Sequence, residues 1–182
     1  HFLARRGAAA TMSAIREFEA AAAADPSFTD AVARIAYCYA NILDNEADVG
    51  LSRDTLIARG AATAARAVRL DSLSSDAWMA QAYIRMAQYP RTLEGARERF
   101  ERAIALNPRS AEAHHQYAWL LTLLGDTAHA RAENLRALAI EPGRAVTVQQ
   151  LMAIAVGSRR FDEALRLSDS ILVLDPTYGG VR

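Results

Sequence analysis

Small and apolar residues recur along the chain at the spacing of one face of an α-helix. Ala96, Phe100, Ala103 and Leu106 lie 4, 3 and 3 residues apart, which places them on the same side of a helix. Small residues with a larger one a turn away suit close packing of antiparallel helices. The pattern therefore predicts an all-α chain of similar helix pairs. The same offsets recur in Phe18, Ala21 and Ala24; Gly60, Ala64, Ala67 and Leu70; Ala130, Asn134, Ala137 and Ile140; and Ala164, Ser168, Ile171 and Leu174.

An acidic or amide residue followed by proline ends most of these predicted helices. Pro108, Pro142 and Pro176 follow one another at intervals of 34 residues. Pro26 marks an earlier stop, and Leu70-Asp71-Ser72 is a further instance with serine in place of proline. A fixed period of this length is typical of a solenoid. The period predicts one array over residues 1–182, with a half repeat at about 8–28 and full repeats at about 29–74, 75–110, 111–144 and 145–178.

Residues 44–53 interrupt the first full repeat. They are mostly polar and include Gly50. Two interpretations are open: a longer surface loop, which costs little because closure entropy grows slowly with length, or a lip over one end of a binding groove. The surface loop is the favoured interpretation. A shorter insertion around Pro90 lengthens the turn in the next repeat.

The motif Ala96…Phe100…Ala103…Pro108, with Ala82 and Trp78 upstream, resembles the tetratricopeptide repeat over roughly residues 8–178. The resemblance implies an α-solenoid of about four and a half repeats in a right-handed superhelix. It also implies that the first helix of each repeat lines a concave groove, which is the usual binding surface of such arrays.

Three positions depart from the repeat pattern. Asn134 and Ser168 stand where the family has an aromatic residue, and Arg85 stands where it has an apolar one. Looser packing is expected around them. The stretch AHHQYAWLL at residues 113–121 is also similar to regulatory arrays of bacterial signalling proteins, whose output domains are winged-helix regulators, Ser/Thr kinases or cyclases. Because the chain begins at His1, it is expected to be a segment of a larger protein.

The predicted groove carries aromatic residues in register on successive repeats. Tyr37, Tyr83 and Trp119 occupy its centre, and they either pack between helices or offer flat contact area to a partner. The two interpretations are equally open for the tyrosines, while binding is favoured for Trp119. The candidate partner-binding residues are Arg34, Tyr37, Asn41, Met79, Tyr83, Met86, His115, Trp119, Thr122, Gln149 and Gln150.

Some arrays of the family hold a peptide's terminal carboxylate with cationic and amide side chains. The matching positions here are Ala33, Met79, His115 and Gln149, none of which carries a fixed positive charge. We therefore expect a groove for an apolar or aromatic segment of a protein or peptide, without a carboxylate clamp. A small-molecule sensor domain that controls a linked output domain is the alternative.

Composition narrows the remaining function classes. Lys plus Arg and Asp plus Glu both number 21, so the formal net charge is zero and nucleic acid is not an expected partner. The single cysteine, Cys38, gives no sign of an oxidising compartment, and the cytoplasm is favoured with the periplasm left open. No apolar run is long enough to cross a membrane.

We found no residues arranged for catalysis. His114 and His115 are neighbours, so on a helix they point about 100° apart and are poorly placed to share a metal. We therefore expect no enzyme activity, catalytic residue, metal or cofactor. Self-association through the apolar last helix, Phe161 to Leu174, is a further expectation.

Overall fold

A computed structural model of the chain describes residues 2–89 and 93–174, with side chains from residue 7 onwards. Over these ranges the secondary structure is helical and contains no strand. The all-α class predicted from the sequence is therefore confirmed. The nine helices of these ranges are α1 Phe2–Ala24, α2 Thr29–Asp44, α3 Arg53–Leu70, α4 Ser75–Met86, α5 Ala96–Leu106, α6 Ala111–Leu123, α7 Thr127–Ile140, α8 Ala145–Gly157 and α9 Phe161–Leu174.

The helices form two compact units, His1–Pro108 and Arg109–Arg182. In unit 1, each helix from α1 to α5 packs against the next one in the chain, and α2 also packs beside α4. In unit 2, α6 pairs with α7 and α8 pairs with α9, while α7 also contacts α8. Each unit is thus built from helices that pack against their neighbours in the chain.

Capping residues and prolines set the ends of the helices. Ser74 and Ser110 accept hydrogen bonds from backbone N–H groups in the first turns of α4 and α6, which satisfies donors that the helix itself leaves unpaired. Pro26, Pro108 and Pro142 each lie two residues beyond the last residue of a helix. The remaining predicted stop, at Pro176, lies outside the described residues.

Small residues bring the helices of unit 1 together. Ala64, Ala67 and Ala103 are fully buried on the faces predicted from the repeat pattern. At Gly60 α3 approaches α4 closely, because a Cβ atom there would overlap Cδ1 of Ile84 on α4. Any larger residue at position 60 would push α3 away from α4 or displace the Ile84 side chain.

The predicted insertion is a loop of residues 45–52 between α2 and α3. Arg53, at its end, donates from Nη2 to the carbonyl oxygen of Ala87 at 2.6 Å and, at 3.4 Å, to that of Tyr89. Its Nη1 donates to the carbonyl oxygen of Leu43 at 3.4 Å. Arg53 therefore binds carbonyls at the C-terminal ends of both α2 and α4, where helices leave acceptors unpaired and a positive charge is favoured. Pro90, in the shorter insertion, lies outside the described residues.

Candidate functional site

One face of unit 1 combines an aromatic ring, an amide and an ion pair. Arg34, Tyr37 and Asn41 follow one another on α2 at intervals of 3 and 4 residues, so they lie on one side of the helix. Nη2 of Arg34 lies 2.8 Å from Oδ2 of Asp76 in the first turn of α4. We call Arg34, Tyr37, Asn41 and Asp76 the α2–α4 surface.

Tyr37 is half-buried, and its ring packs against the ring of Tyr83. Its ring centroid lies 5.3 Å from that of Tyr83, with the ring planes inclined at 53°, a geometry favoured by the ring quadrupoles. Tyr83 is only 1% exposed, and its hydroxyl donates to Oδ2 of Asp44 at 3.1 Å. The buried tyrosine therefore fixes the position of the half-exposed one.

Asn41 provides hydrogen-bonding groups beside this ring. Its carbonyl oxygen accepts bonds from the backbone and side-chain N–H groups of Asn45. Its side-chain amide has no hydrogen-bond partner among the described residues, and the residue is half-exposed. The amide can thus donate and accept at the same time.

Four of the predicted groove residues are buried. Met79 and Tyr83 are 1% exposed, Met86 is 2% exposed and His115 is 7% exposed. Their side chains therefore have almost no surface with which to contact a partner, and the predicted binding surface is corrected in this respect. For Tyr83 the structure agrees with the interpretation that it packs between helices. Its ring contacts that of Tyr37, and its hydroxyl donates a hydrogen bond to Asp44.

The other predicted groove residues of unit 2 are accessible to different extents. Trp119 on α6 and Gln150 on α8 are half-buried, whereas Gln149 is exposed. Thr122 is also half-buried, and its hydroxyl donates to the carbonyl oxygen of Ala118 at 2.9 Å. Trp119, Gln149 and Gln150 therefore remain accessible as candidate contact residues in unit 2.

Unit 2 also has a polar core, which the repeat pattern of the sequence does not predict. Nδ1 of His114 lies 2.6 Å from Oε2 of Glu133, and both side chains are nearly buried. Nδ1 of His115 lies 3.1 Å from the hydroxyl of Thr147, which is fully buried. Asn134, in the usual aromatic position, is fully buried too. That asparagine was the one sequence signal that this core is polar.

Burial keeps His115 neutral. The pKa of His115 is lowered from 6.5 to about 4, and desolvation of the charged ring is the main cause. The charge of Glu112 opposes this shift, whereas the charge of Arg144 contributes to it. Arg144 itself forms ion pairs with Glu112 and Glu141. His115 is therefore a neutral member of the core at physiological pH.

The last helix of unit 2 has a buried and an exposed face. Ile171 and Ala164 are buried, whereas Phe161 and Leu165 are 57% and 66% exposed. This leaves apolar side chains on the surface of α9, and self-association through that helix stays a prediction.

Within the described ranges, His, Cys, Asp and Glu side chains form no group of three that could hold a metal ion. The described helices include none long and apolar enough to span a membrane.

Comparisons with known proteins identify the fold. Residues 100–132 match the sequence model of the tetratricopeptide repeat family. The solved structure of a thermophilic tetratricopeptide repeat protein from Thermus thermophilus superimposes with a TM-score of 0.76 at 22% identity, covering 94% of this chain and 87% of that one. Both units therefore have the tetratricopeptide repeat fold. The resemblance to the tetratricopeptide repeat is therefore confirmed at the level of the fold.

Two further solved structures are similar to the chain. MamA superimposes with a TM-score of 0.63 at 20% identity, covering 94% of this chain and 92% of that one. YrrB, described as a tetratricopeptide repeat protein with an unusual peptide-binding site, does so with a TM-score of 0.61 at 17% identity, covering 92% and 79%. No curated protein sequence matches the chain.

Proposed function

We propose that this tetratricopeptide repeat chain is a protein-interaction module that binds an extended segment of a partner protein on the α2–α4 surface. The observation that carries the proposal is the half-exposed ring of Tyr37, held by the buried ring of Tyr83, with the unpartnered amide of Asn41 one turn away.

The fixed tyrosine makes binding of an apolar side chain favourable. Association is opposed by the entropy of ordering side chains, about 0.5–1.5 kcal/mol for each flexible one. Tyr37 is already held against Tyr83, whose hydroxyl is bonded to Asp44, so little of this entropy remains to be lost. Tyrosine also supplies a large contact area with only two side-chain torsions.

The polar groups of the surface suit a peptide main chain. The Asn41 amide can donate to a carbonyl oxygen and accept from an N–H group of an extended segment. The Arg34–Asp76 pair is solvent-accessible, so it provides a polar rim rather than a large part of the binding energy. The expected ligand is therefore a short extended segment with an aromatic or aliphatic residue.

The similarity to YrrB supports the same class of partner. That protein is described as having a peptide-binding site, and its fold matches that of this chain. At 17% identity the likeness concerns the fold, so the ligand class rests on the α2–α4 surface itself.

Selection of binders from a random peptide library, followed by calorimetric titration of the selected peptide, tests the proposal. Tyr37→Ala is expected to raise the dissociation constant at least tenfold, which corresponds to a loss of about 1.4 kcal/mol or more of binding free energy. Asn41→Ala should raise the dissociation constant several-fold. The matched control is Tyr89→Ala, which removes a tyrosine that is 48% exposed and outside the α2–α4 surface.

The control variant should bind the selected peptide as the unchanged protein does. Peptides that bind the Tyr37→Ala and Asn41→Ala variants with unchanged affinity would contradict the proposal. If Trp119→Ala alone abolishes binding, the partner site lies in unit 2 instead.

For the biological setting, we propose a regulatory part of a larger bacterial signalling protein. The support is the resemblance of residues 113–121 to regulatory arrays of such proteins. The sequence of the full-length protein tests this, because a winged helix, kinase or cyclase domain is expected in it. A full-length sequence without any such output domain would contradict the setting but not the proposed binding.

A further inference from the structure

A small polar pocket lies in unit 1 among α3, α4 and α5. Its volume is about 160 Å³. None of its residues belongs to the α2–α4 surface, so it is independent of the proposed peptide site. The lining residues are Ala61, Gln81, Ile84, Arg85, Gln88 and Arg99.

The repeat geometry brings these residues together from three helices. Gln81, Arg85 and Gln88 follow one another along α4 and its C-terminal turn at intervals of 4 and 3, which places them on one side of that helix. The close approach of α3 at Gly60 brings the neighbouring Ala61 to the pocket wall. The nearly buried Ile84 provides an apolar part of the wall.

Both arginines are held in place by neutral groups. Nε of Arg85 donates to the carbonyl oxygen of Glu94 at 3.1 Å. Nε of Arg99 donates to Oε1 of Gln81 at 2.9 Å, and its Nη1 donates to the carbonyl oxygen of Gly95. These bonds orient the two guanidinium groups and leave further N–H groups of each one unused.

The two arginines of the pocket form no ion pair within the described part of the chain. The pocket lining contains no Asp or Glu. The side-chain amide of Gln88 has no hydrogen-bond partner among the described residues. The pocket therefore presents two guanidinium groups and the amide of Gln88, and its lining supplies no carboxylate to pair with them.

We propose that this pocket binds a small oxyanion, a phosphate or carboxylate group. Guanidinium groups match both anions because their parallel N–H donors form paired hydrogen bonds to two oxygens. The pocket is smaller than the roughly 300–1,000 Å³ typical of sites for drug-sized ligands, so it takes one anionic group rather than a whole large molecule. It also accounts for Arg85, which stands where the repeat has an apolar residue.

Titration of inorganic phosphate and, separately, acetate at constant ionic strength tests the proposal, with binding followed by NMR chemical shifts of backbone amides. Saturable binding of at least one anion is expected, and the tighter of the two identifies the group that the pocket prefers. Arg85→Gln should raise the dissociation constant of the tighter-binding anion at least tenfold. The charge-matched control is Arg102→Gln, at an exposed position of α5 outside the pocket, and it should change the constant less than twofold.

Gln88→Leu keeps both arginines and should still weaken binding several-fold, which separates loss of the site from loss of the fold in the Arg85 variant. Far-UV circular dichroism checks that each variant is folded. Absence of saturable binding up to about 50 mM of either anion, well above the millimolar affinity expected of so small a ligand, would overturn the proposal. Equal weakening by Arg85→Gln and Arg102→Gln would also overturn it, because it would indicate unspecific attraction to positive charge.

Discussion

Removal of the Arg53 side chain tests the role of the insertion in the fold. Arg53→Ala removes the donors to the carbonyl oxygens of Leu43, Ala87 and Tyr89. These acceptors lie at the C-terminal ends of α2 and α4, so the arginine links two successive first helices of unit 1. If the link matters, the variant loses stability although its side chain is exposed.

The expected loss follows from the geometry of the three contacts. One bond is short, at 2.6 Å, and two are long, at 3.4 Å, so most of the effect comes from the bond to Ala87. A hydrogen bond to a charged group contributes about 1.5–3 kcal/mol, and solvent screening at this exposed residue lowers that value. We therefore expect the free energy of unfolding to fall by about 1–2 kcal/mol.

Urea unfolding followed by circular dichroism measures this loss. Arg59→Ala is the matched control, since Arg59 is an exposed arginine of the same helix whose side chain has no partner among the described residues. It should change stability by less than about 0.5 kcal/mol. Arg53→Lys keeps the charge but loses the paired donors, and an intermediate loss is expected. Equal stability of the Arg53→Ala and Arg59→Ala variants would refute the reasoning and leave residues 45–52 as an unsupported loop.

Two further predictions concern the buried groups. Tyr83→Phe removes the hydrogen bond to Asp44 and should lower the free energy of unfolding by about 1 kcal/mol in urea titrations, and an unchanged midpoint would mean that the bond is not formed in solution. The low pKa of His115 predicts that stability falls as the pH drops from 6.5 towards about 4, because the unfolded chain binds a proton there that the folded chain does not. His115→Gln should reduce that slope between about pH 6.5 and 4.5, and an identical slope in the variant would contradict this assignment.

The sequence predicted the helices better than the groove. The small residues and the proline stops are local signals, and α9 spans Phe161–Leu174 as expected. The exposure of a side chain, in contrast, depends on contacts with other helices and not on the local sequence. Tyr37 and Tyr83 occupy equivalent positions in successive repeats, yet Tyr83 is buried because the ring of Tyr37 and the carboxylate of Asp44 lie against it. No spacing rule within one helix distinguishes the two residues.

The polar side chains in the core of unit 2, and those in the pocket among α3, α4 and α5, also depend on contacts that no local pattern predicts. The buried ring of His115 contacts the hydroxyl of Thr147, which lies 32 residues further along the chain. Arg85 and Arg99 line one pocket only because α3, α4 and α5 meet there. In both places the sequence marked a departure from the repeat, at Asn134 and at Arg85, but it did not indicate which side chains would surround that position.

Photo-crosslinking from position 37 tests the central claim most directly. A benzoylphenylalanine residue is placed at Tyr37 or, as the control, at the exposed Tyr89, and each protein is irradiated with a peptide selected on the unchanged protein. We predict a covalent adduct with the peptide from position 37 and none from position 89, located by mass spectrometry. Crosslinking from position 89 with none from position 37 would contradict binding on the α2–α4 surface.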